Sequence, residues 1–471
     1  MHAAILLACA AFAAQGAHAQ VERRLGNFRE VFAWKQMTFN INGQTLLQDR
    51  SSSDGLEEDS RQKRQTDEVV FNNHEEEPER NWNLRPNTNT RPTSTSTTSR
   101  PTSPNDEAGR FFIQYNNVPM GLEKVGNRLF IALPRRRYGI PTTLNYINLD
   151  RESNTRSPAL TPYPDLRQGR RLTSVYRTRA DQCGRLWMVD TGLMEIPNNP
   201  QQAQPPAIVV FDLATDTQIL RYPFKSSDVP AANTPTGLAS ITVDVINGDC
   251  SNTYAYVPDL TTIGMIVFSL RERDSWRLQH NYFSFNPTAG ILNIAGHRFQ
   301  WSDGIFSITL TDPDSAGCRT AYFHPLISTE EFSVNTCVLR NRTASSDSDY
   351  FQRYSVVGNR GENSQCTMHD YHSASNVIFF ADIGRNAVSC WKTSNILNPG
   401  NVAVLAQDST RMSYPSDLHV TDDEVWVMAN TLPRFGYSRL DPDQYNFYVY
   451  RGNVNDLITG TVCDGRTPFA G

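Results

Sequence analysis

Most signatures that name a chemistry at first sight are missing from this 471-residue chain. There is no CxxC pair, which weakens a zinc assignment. There is no GxSxG, so a nucleophile-elbow esterase has no support. His74-Glu75 lacks a second histidine at helical spacing, which excludes a zinc protease of the HExxH kind. Basic residues are not in excess, the formal net charge being −5, so no global field argues for nucleic acid. Beyond the first residues no apolar stretch reaches membrane-spanning length. No strong amphipathic helix pattern occurs, and nothing implies a cofactor or a resident metal.

What is present begins with a secretory pattern. Ile5–Ala14 is a short apolar core, and Ala17-His18-Ala19 has the small-x-small form of a cleavage site. Met1–Ala19 is therefore read as a signal peptide and the mature protein as secreted and extracellular. Cys9 leaves with it. In an oxidising compartment most of the remaining seven cysteines should pair, one being left over. Cys183 and Cys250 occupy matching turns of successive repeats and are expected to bridge. Cys366 and Cys390 fall in one repeat and are expected to bridge each other, with Cys337 as the free thiol. Asn341-Arg342-Thr343 is the one permitted Asn-x-Thr sequon, expected to carry a glycan in a loop between blades.

Composition then marks the organisation. Val31–Ile41 (VFAWKQMTFNI) reads as a strand within an N-terminal segment, 20–42. Gly43–Arg110 is polar, Pro-rich and without apolar periodicity, and is expected to be disordered. Its Thr/Ser/Pro tract, Arg85–Pro104, suits either a glycosylated stalk or a plain linker. Arg61-Gln62-Lys63-Arg64 has the form of a convertase site.

From Phe111 onward a unit recurs about every 50–65 residues, a period of the propeller kind. Six apolar runs stand as second strands of six blades: Leu129–Leu133, Leu186–Val189, Tyr254–Val257, Thr320–Phe323, Val377–Phe380 and Val425–Met428. Runs of aromatic and β-branched residues between turns suit buried strands. The expected fold is all-β, a six-bladed β-propeller over 111–471 with the disordered stretch as an insertion. A propeller must seal its first and last blades, and Val31–Ile41 is the candidate outer strand beside Phe447–Arg451.

The repeats place polar residues at equivalent points. After the second strands come Arg135, Asp190 with Thr191, Asp259, His324, Asp382 and Asn430. Near the inner strands stand Glu123, Asp303, His369 with Asp370, and Asp417. Gathered around one axial channel, this acid-rich set would bind an ammonium, with aromatic side chains against a ring. Asp190, Asp259 and Asp382 are the leading ligand groups. The plainer reading of each Asp is a turn cap, and of each histidine a structural residue. Arg135–Arg137 reads first as a solvated loop. Glu123, Asp303 and Asp382 also imitate the axial set of a calcium-dependent propeller hydrolase.

Seven blocks, VFAWKQMTFNI, VPMGLEKVGNRLFIALPRRRYGIPTTLNYI, CGRLWMVDTG, NTYAYVPDL, YFHPL, QCTMH and WVMANTLPRF, resemble the insect Yellow and major royal jelly protein family. The similarity spans most of Phe28–Asn40 and all of Phe111–Asp464. The long Ser/Thr/Pro insertion departs from the family's short spacer. The resemblance implies a secreted six-bladed propeller acting in pigmentation, melanin chemistry or small-ligand binding. Two functions follow. One is a binder of a small aromatic ligand of catechol- or indole-amine type, acting with cuticle or eggshell components. The other is a dopachrome tautomerase, with His369 or Asp370 as base and Arg135 holding the substrate carboxylate.

Overall fold

The computed structural model describes residues 23–47, 111–197 and 199–465. The signal segment, the Arg61–Arg64 tetrad and the Thr/Ser/Pro tract lie outside them. The first residues of the stretch read as disordered are described, and they are ordered: Gln44–Leu46 pairs with Phe39–Ile41. The turn between them is Asn42-Gly43, both at positive φ. Asn-Gly is the pair that a two-residue hairpin turn favours, so this is a short hairpin and not the start of a linker.

The chain is all-β, and six of its sheets are the blades of a β-propeller. Each expected apolar run lies in the second strand of a blade, an antiparallel sheet of four strands in blades 1 to 5 and of five in blade 6, where Arg24–Leu25 adds an edge strand. The residues fall into two compact units, one of 35–279 with 441–444, the other holding 280–440, the flanking C-terminal residues and the N-terminal ones up to Trp34.

The first unit contains blades 1 to 3. Blade 1 runs Gly121–Val125, Arg128–Ala132, Leu144–Asn148 and Thr161–Pro162. Blade 2 runs Val175–Ala180, Arg185–Asp190, Ala207–Asp212 and Thr217–Pro223. Blade 3 runs Thr242–Val245, Thr253–Asp259, Gly264–Ser269 and Asp274–Leu278. Successive strand residues face opposite sides. In blade 2, Leu186 and Met188 pack with Phe130, Leu144 and Tyr163 of blade 1. Trp187 and Val189 pack with Val257, Ile266 and Phe268 of blade 3. Both faces are buried, which is why the strand reads as an unbroken apolar run and not as an alternation. Each such side chain contributes about 1.5–3 kcal/mol of burial.

The second unit contains blades 4 to 6. Blade 4 runs Ile305–Leu310, Thr320–Pro325, Glu330–Asn335 and Tyr354–Asn359. Blade 5 runs Cys366–His372, Val377–Asp382, Ala387–Lys392 and Val402–Gln407. Blade 6 has Tyr414–Thr421, Glu424–Asn430 and Phe447–Asn453. Its fourth strand comes from the other end of the chain: Phe28–Trp34 pairs antiparallel with Phe447–Asn453, Trp34 opposite Phe447. That strand ends at Trp34, seven residues before the boundary read from the sequence, and Phe39–Ile41 belongs to the separate hairpin.

Among the described residues three disulfides occur, Cys183–Cys250, Cys318–Cys337 and Cys390–Cys463, and Cys366 is the buried free thiol. The expected Cys366–Cys390 bridge is corrected. These residues lie on the first and third strands of blade 5, with Val377–Asp382 between them. Two strand spacings are about 9–10 Å, beyond the reach of a disulfide. Cys337, expected to be free, instead follows the third strand of blade 4 and meets Cys318 in the turn before the second. Asn341 is exposed and lies between the third and fourth strands of blade 4, inside one blade and not between two.

Candidate functional site

Blades 4 and 5 bring two histidines and a glutamate together. His324 is the next-to-last residue of the strand Thr320–Pro325, Glu331 is the second of Glu330–Asn335, and His369 is central in Cys366–His372. The ladders are irregular between Ile305 and Ser307 and between Cys366 and His369. Such irregularities re-aim side chains that strict alternation would send elsewhere.

All three side chains are 0% exposed. His324 Nδ1 lies 3.1 Å from Glu331 Oε2, and its Nε2 lies 3.3 Å from the Thr367 carbonyl oxygen. His369 Nε2 lies 3.1 Å from Glu331 Oε1, and its Nδ1 lies 2.7 Å from Ser307 Oγ. That same hydroxyl accepts the His369 backbone N–H. The imidazoles are 4.5 Å apart between centroids, and His369 stacks on Phe380. Arg360, also fully buried, donates to Glu331 Oε2 at 2.5 Å and to the carbonyls of Ser328, Glu330 and Ser364. Its guanidinium lies over Phe380, 5.2 Å from the ring centroid.

Burial sets the charges. It pushes the His324 imidazole down to about 4, against the pull of Glu331. Burial opposes the Glu331 charge as well, yet the neighbouring imidazoles outweigh it and hold the carboxyl below its ordinary range. At neutral pH His324 is uncharged, so the counter-charge to Glu331 is Arg360. The cluster is thus one fixed ion pair with two imidazoles against it, an arrangement able to hold a proton or a cation.

The other residues picked from the sequence are placed differently. Five lie in the first unit, Glu123, Arg135, Asp190, Thr191 and Asp259, and the rest in the second. The expected ammonium-binding role of the three leading aspartates is not what their surroundings support. Asp190 accepts the backbone N–H groups of Thr173, Ser174 and Gly192 and pairs with Arg221 at 3.1 Å. Asp259 accepts Gly237 N–H and the Thr262 N–H and hydroxyl, and pairs with Arg277 at 3.2 Å. Asp382 accepts the Ser389 hydroxyl at 2.6 Å and faces Arg385. In each case the repeated Asp ends the second strand and ties its own blade together, with a guanidinium already in the ammonium's place. Arg385 beside Asp382 equally opposes a calcium role.

Arg135 is likewise committed. Its guanidinium donates to the carbonyls of Ile140, Pro141, Leu172 and Thr173, so it fastens a loop where a substrate clamp was expected. Thr191 donates to Ser174 O and accepts Leu193 N–H, and Asn430 accepts Leu432 N–H; both cap turns. Asp370 accepts Thr309 Oγ1, Tyr371 N–H and Val420 N–H. Asp417 accepts Leu418 N–H. Glu123 is buried opposite Phe130, and Asp303 is half-buried just before blade 4. Of the residues picked, the structure joins His324 and His369 through Glu331, and it brings Asp370 and Asp417 to the two nitrogens of His419, at 3.8 and 3.4 Å.

Glu331 and Arg360 escaped notice. An acid on a strand whose neighbours Phe332 and Val334 are core residues is the signal for Glu331, since a buried carboxylate demands a partner. Arg360, in the turn Asn359-Arg360-Gly361, carries no such signal.

Fold and site together define a six-bladed β-propeller with ionisable groups sealed between adjacent blades. The chain belongs to the major royal jelly protein family, whose pattern matches residues 173–463. It is 44% identical over 360 residues to L-dopachrome tautomerase yellow-f of Drosophila melanogaster, covering 75% of this chain and 83% of that protein. It is 40% identical over 364 residues to Protein yellow of Drosophila yakuba and of Drosophila melanogaster, and spans 66% of their length.

Proposed function

We propose that the protein is secreted and acts in melanin formation by converting dopachrome through tautomerisation. The observation that carries this reading is the 44% identity to a tautomerase across 83% of that relative. The reaction is an isomerisation. A proton leaves the carbon bearing the carboxylate, another is taken up at a quinone oxygen, and no electrons leave the molecule. It needs a proton acceptor and electrostatic stabilisation and no co-reactant. Asp370 has its oxygens engaged inside the blades and the His369 side chain is fully buried, so the reading stands on the similarity and not on either residue. Purified protein should accelerate the loss of dopachrome absorbance over a boiled control. An unchanged rate at micromolar protein sinks the proposal.

A second reading, binding of an aromatic ligand without turnover, has its own support. Phe299 stacks on the exposed Tyr437 at 4.9 Å, and Trp301 Nε1 donates to the Tyr437 hydroxyl at 2.7 Å. An aromatic cluster at the surface, with Tyr437 exposed and Phe299 and Trp301 half-buried, suits a catechol or indole ring. Calorimetric titration with dopamine and N-acetyldopamine separates the cases, since ring stacking alone accepts both equally.

A further inference from the structure

We propose that His324, Glu331 and His369 form a binding site for a divalent late first-row transition ion, with zinc as the probe. Three observations converge on it.

The first is a pair of buried polar atoms left unmatched. Both nitrogens of His324 already face oxygens, the Thr367 carbonyl at 3.3 Å and Glu331 Oε2 at 3.1 Å. On the other side, His369 Nε2 and Glu331 Oε1 are 3.1 Å apart, yet neither completes a hydrogen bond. Buried polar atoms left unmatched at this depth are costly. A cation among them removes the conflict.

The second is spacing. One donor atom from each of the three residues falls within 4.8 Å of the others. Donors about 2.0–2.2 Å from one zinc ion stand roughly 3.0–3.5 Å apart; Glu331 meets each imidazole at 3.1 Å, His324 through Oε2 and His369 through Oε1, so a small rotation of the carboxylate brings one oxygen to serve both.

The third is the supporting shell. Ser307 holds the far nitrogen of His369, the Thr367 carbonyl faces that of His324, and Arg360 holds Glu331 through Oε2, leaving Oε1 on the His369 side. Ligating side chains are oriented by partners of this kind. Two imidazole nitrogens and one carboxylate favour zinc and its neighbours over calcium or magnesium, which take oxygen donors.

The site is independent of the dopachrome reading, and its test needs no activity. The full chain is stripped with chelator and titrated with zinc. The expected result is one zinc per chain by elemental analysis and a raised melting temperature, with calcium giving neither. The cobalt form should show ligand-field bands without thiolate charge transfer. Replacing His324 or His369 by Gln should weaken zinc by at least about a hundredfold, and Ser307→Ala by about tenfold. Because a buried variant can fail to fold, the wild-type titration decides: no stoichiometric zinc and no thermal shift overturns the site. Zinc bound with undiminished affinity by a folded His324→Gln, His369→Gln double variant also overturns it.

Discussion

Glu331 and Arg360 meet at 2.5 Å with neither side chain exposed to solvent. Removing one partner strands a buried charge, which costs about 3–5 kcal/mol. Arg360→Met should therefore lower the denaturation midpoint sharply. The double variant Arg360→Met, Glu331→Leu should recover a large part of the loss. Urea unfolding of the single and double variants measures both, and a recovery of nothing would show that the carbonyl contacts of Arg360 dominate.

Asp190 and Asp259 are expected to act on stability and not on ligand affinity. Each accepts several buried N–H groups and an arginine. Asparagine keeps one acceptor oxygen but loses the charge, so Asp190→Asn and Asp259→Asn should each cost about 2 kcal/mol. Thermal unfolding checks this, beside dopamine titration, which should be unaltered in the variants that fold.

Asp382 gives stability a pH slope of unusual sign. Burial raises its carboxyl from 3.8 to about 6, against the opposing pull of Arg385 and the Ser389 hydroxyl. Between those values the folded chain binds more protons than the unfolded one. Its contribution is therefore full below the unfolded value and is lost as pH rises through about 6. Asp382→Asn should flatten this part of the profile and gain on the wild type as pH rises from 4 to 6.5, by on the order of 2–3 kcal/mol. Denaturant unfolding across that range reads the difference.

Cys366 should be the one thiol among the described cysteines, and an unreactive one. It is buried in blade 5, and burial raises its pKa well above the ordinary thiol value, so little thiolate exists to react. Alkylation should label it only after unfolding. Non-reducing peptide mapping should return Cys183–Cys250, Cys318–Cys337 and Cys390–Cys463; label on native protein at Cys366 would contradict its placement.

Asn341 is exposed, and its side-chain oxygen accepts the Thr343 N–H and hydroxyl. Protein secreted from eukaryotic cells should lose mass with N-glycosidase, and Asn341→Gln should abolish that shift.

The blades were legible because their strands announce themselves: Leu186–Val189 is apolar on both faces since both faces are packed. The repeated aspartates were legible as a repeat, but their meaning was not. The arginine that neutralises Asp190 comes 31 residues later and the one for Asp259 comes 18 later, and no local pattern links them. The cysteines misled for a related reason. Residence in one blade does not bring two residues together when a strand runs between them, as it does for Cys366 and Cys390. His324 and His369 were visible one at a time. Their meeting depends on the pairing of separate strands and on irregular registers, neither of which the spacing of residues encodes.

Blade 6 has an implication for synthesis. Phe28–Trp34 leaves the ribosome long before its partner Phe447–Asn453; Asn27 and Asp456, joined through a side-chain hydrogen bond, are 429 residues apart. The edge of Phe28–Trp34 that joins blade 6 must therefore stay open until Phe447–Asn453 is made, with the other blades able to form ahead of it. Long-range pairing of this kind is slow, and unpaired strand edges in partly made chains invite aggregation. The fold places heavy demand on the chaperones that meet the nascent chain, and substitutions that weaken the Phe28–Trp34 ladder should show first as lower yield.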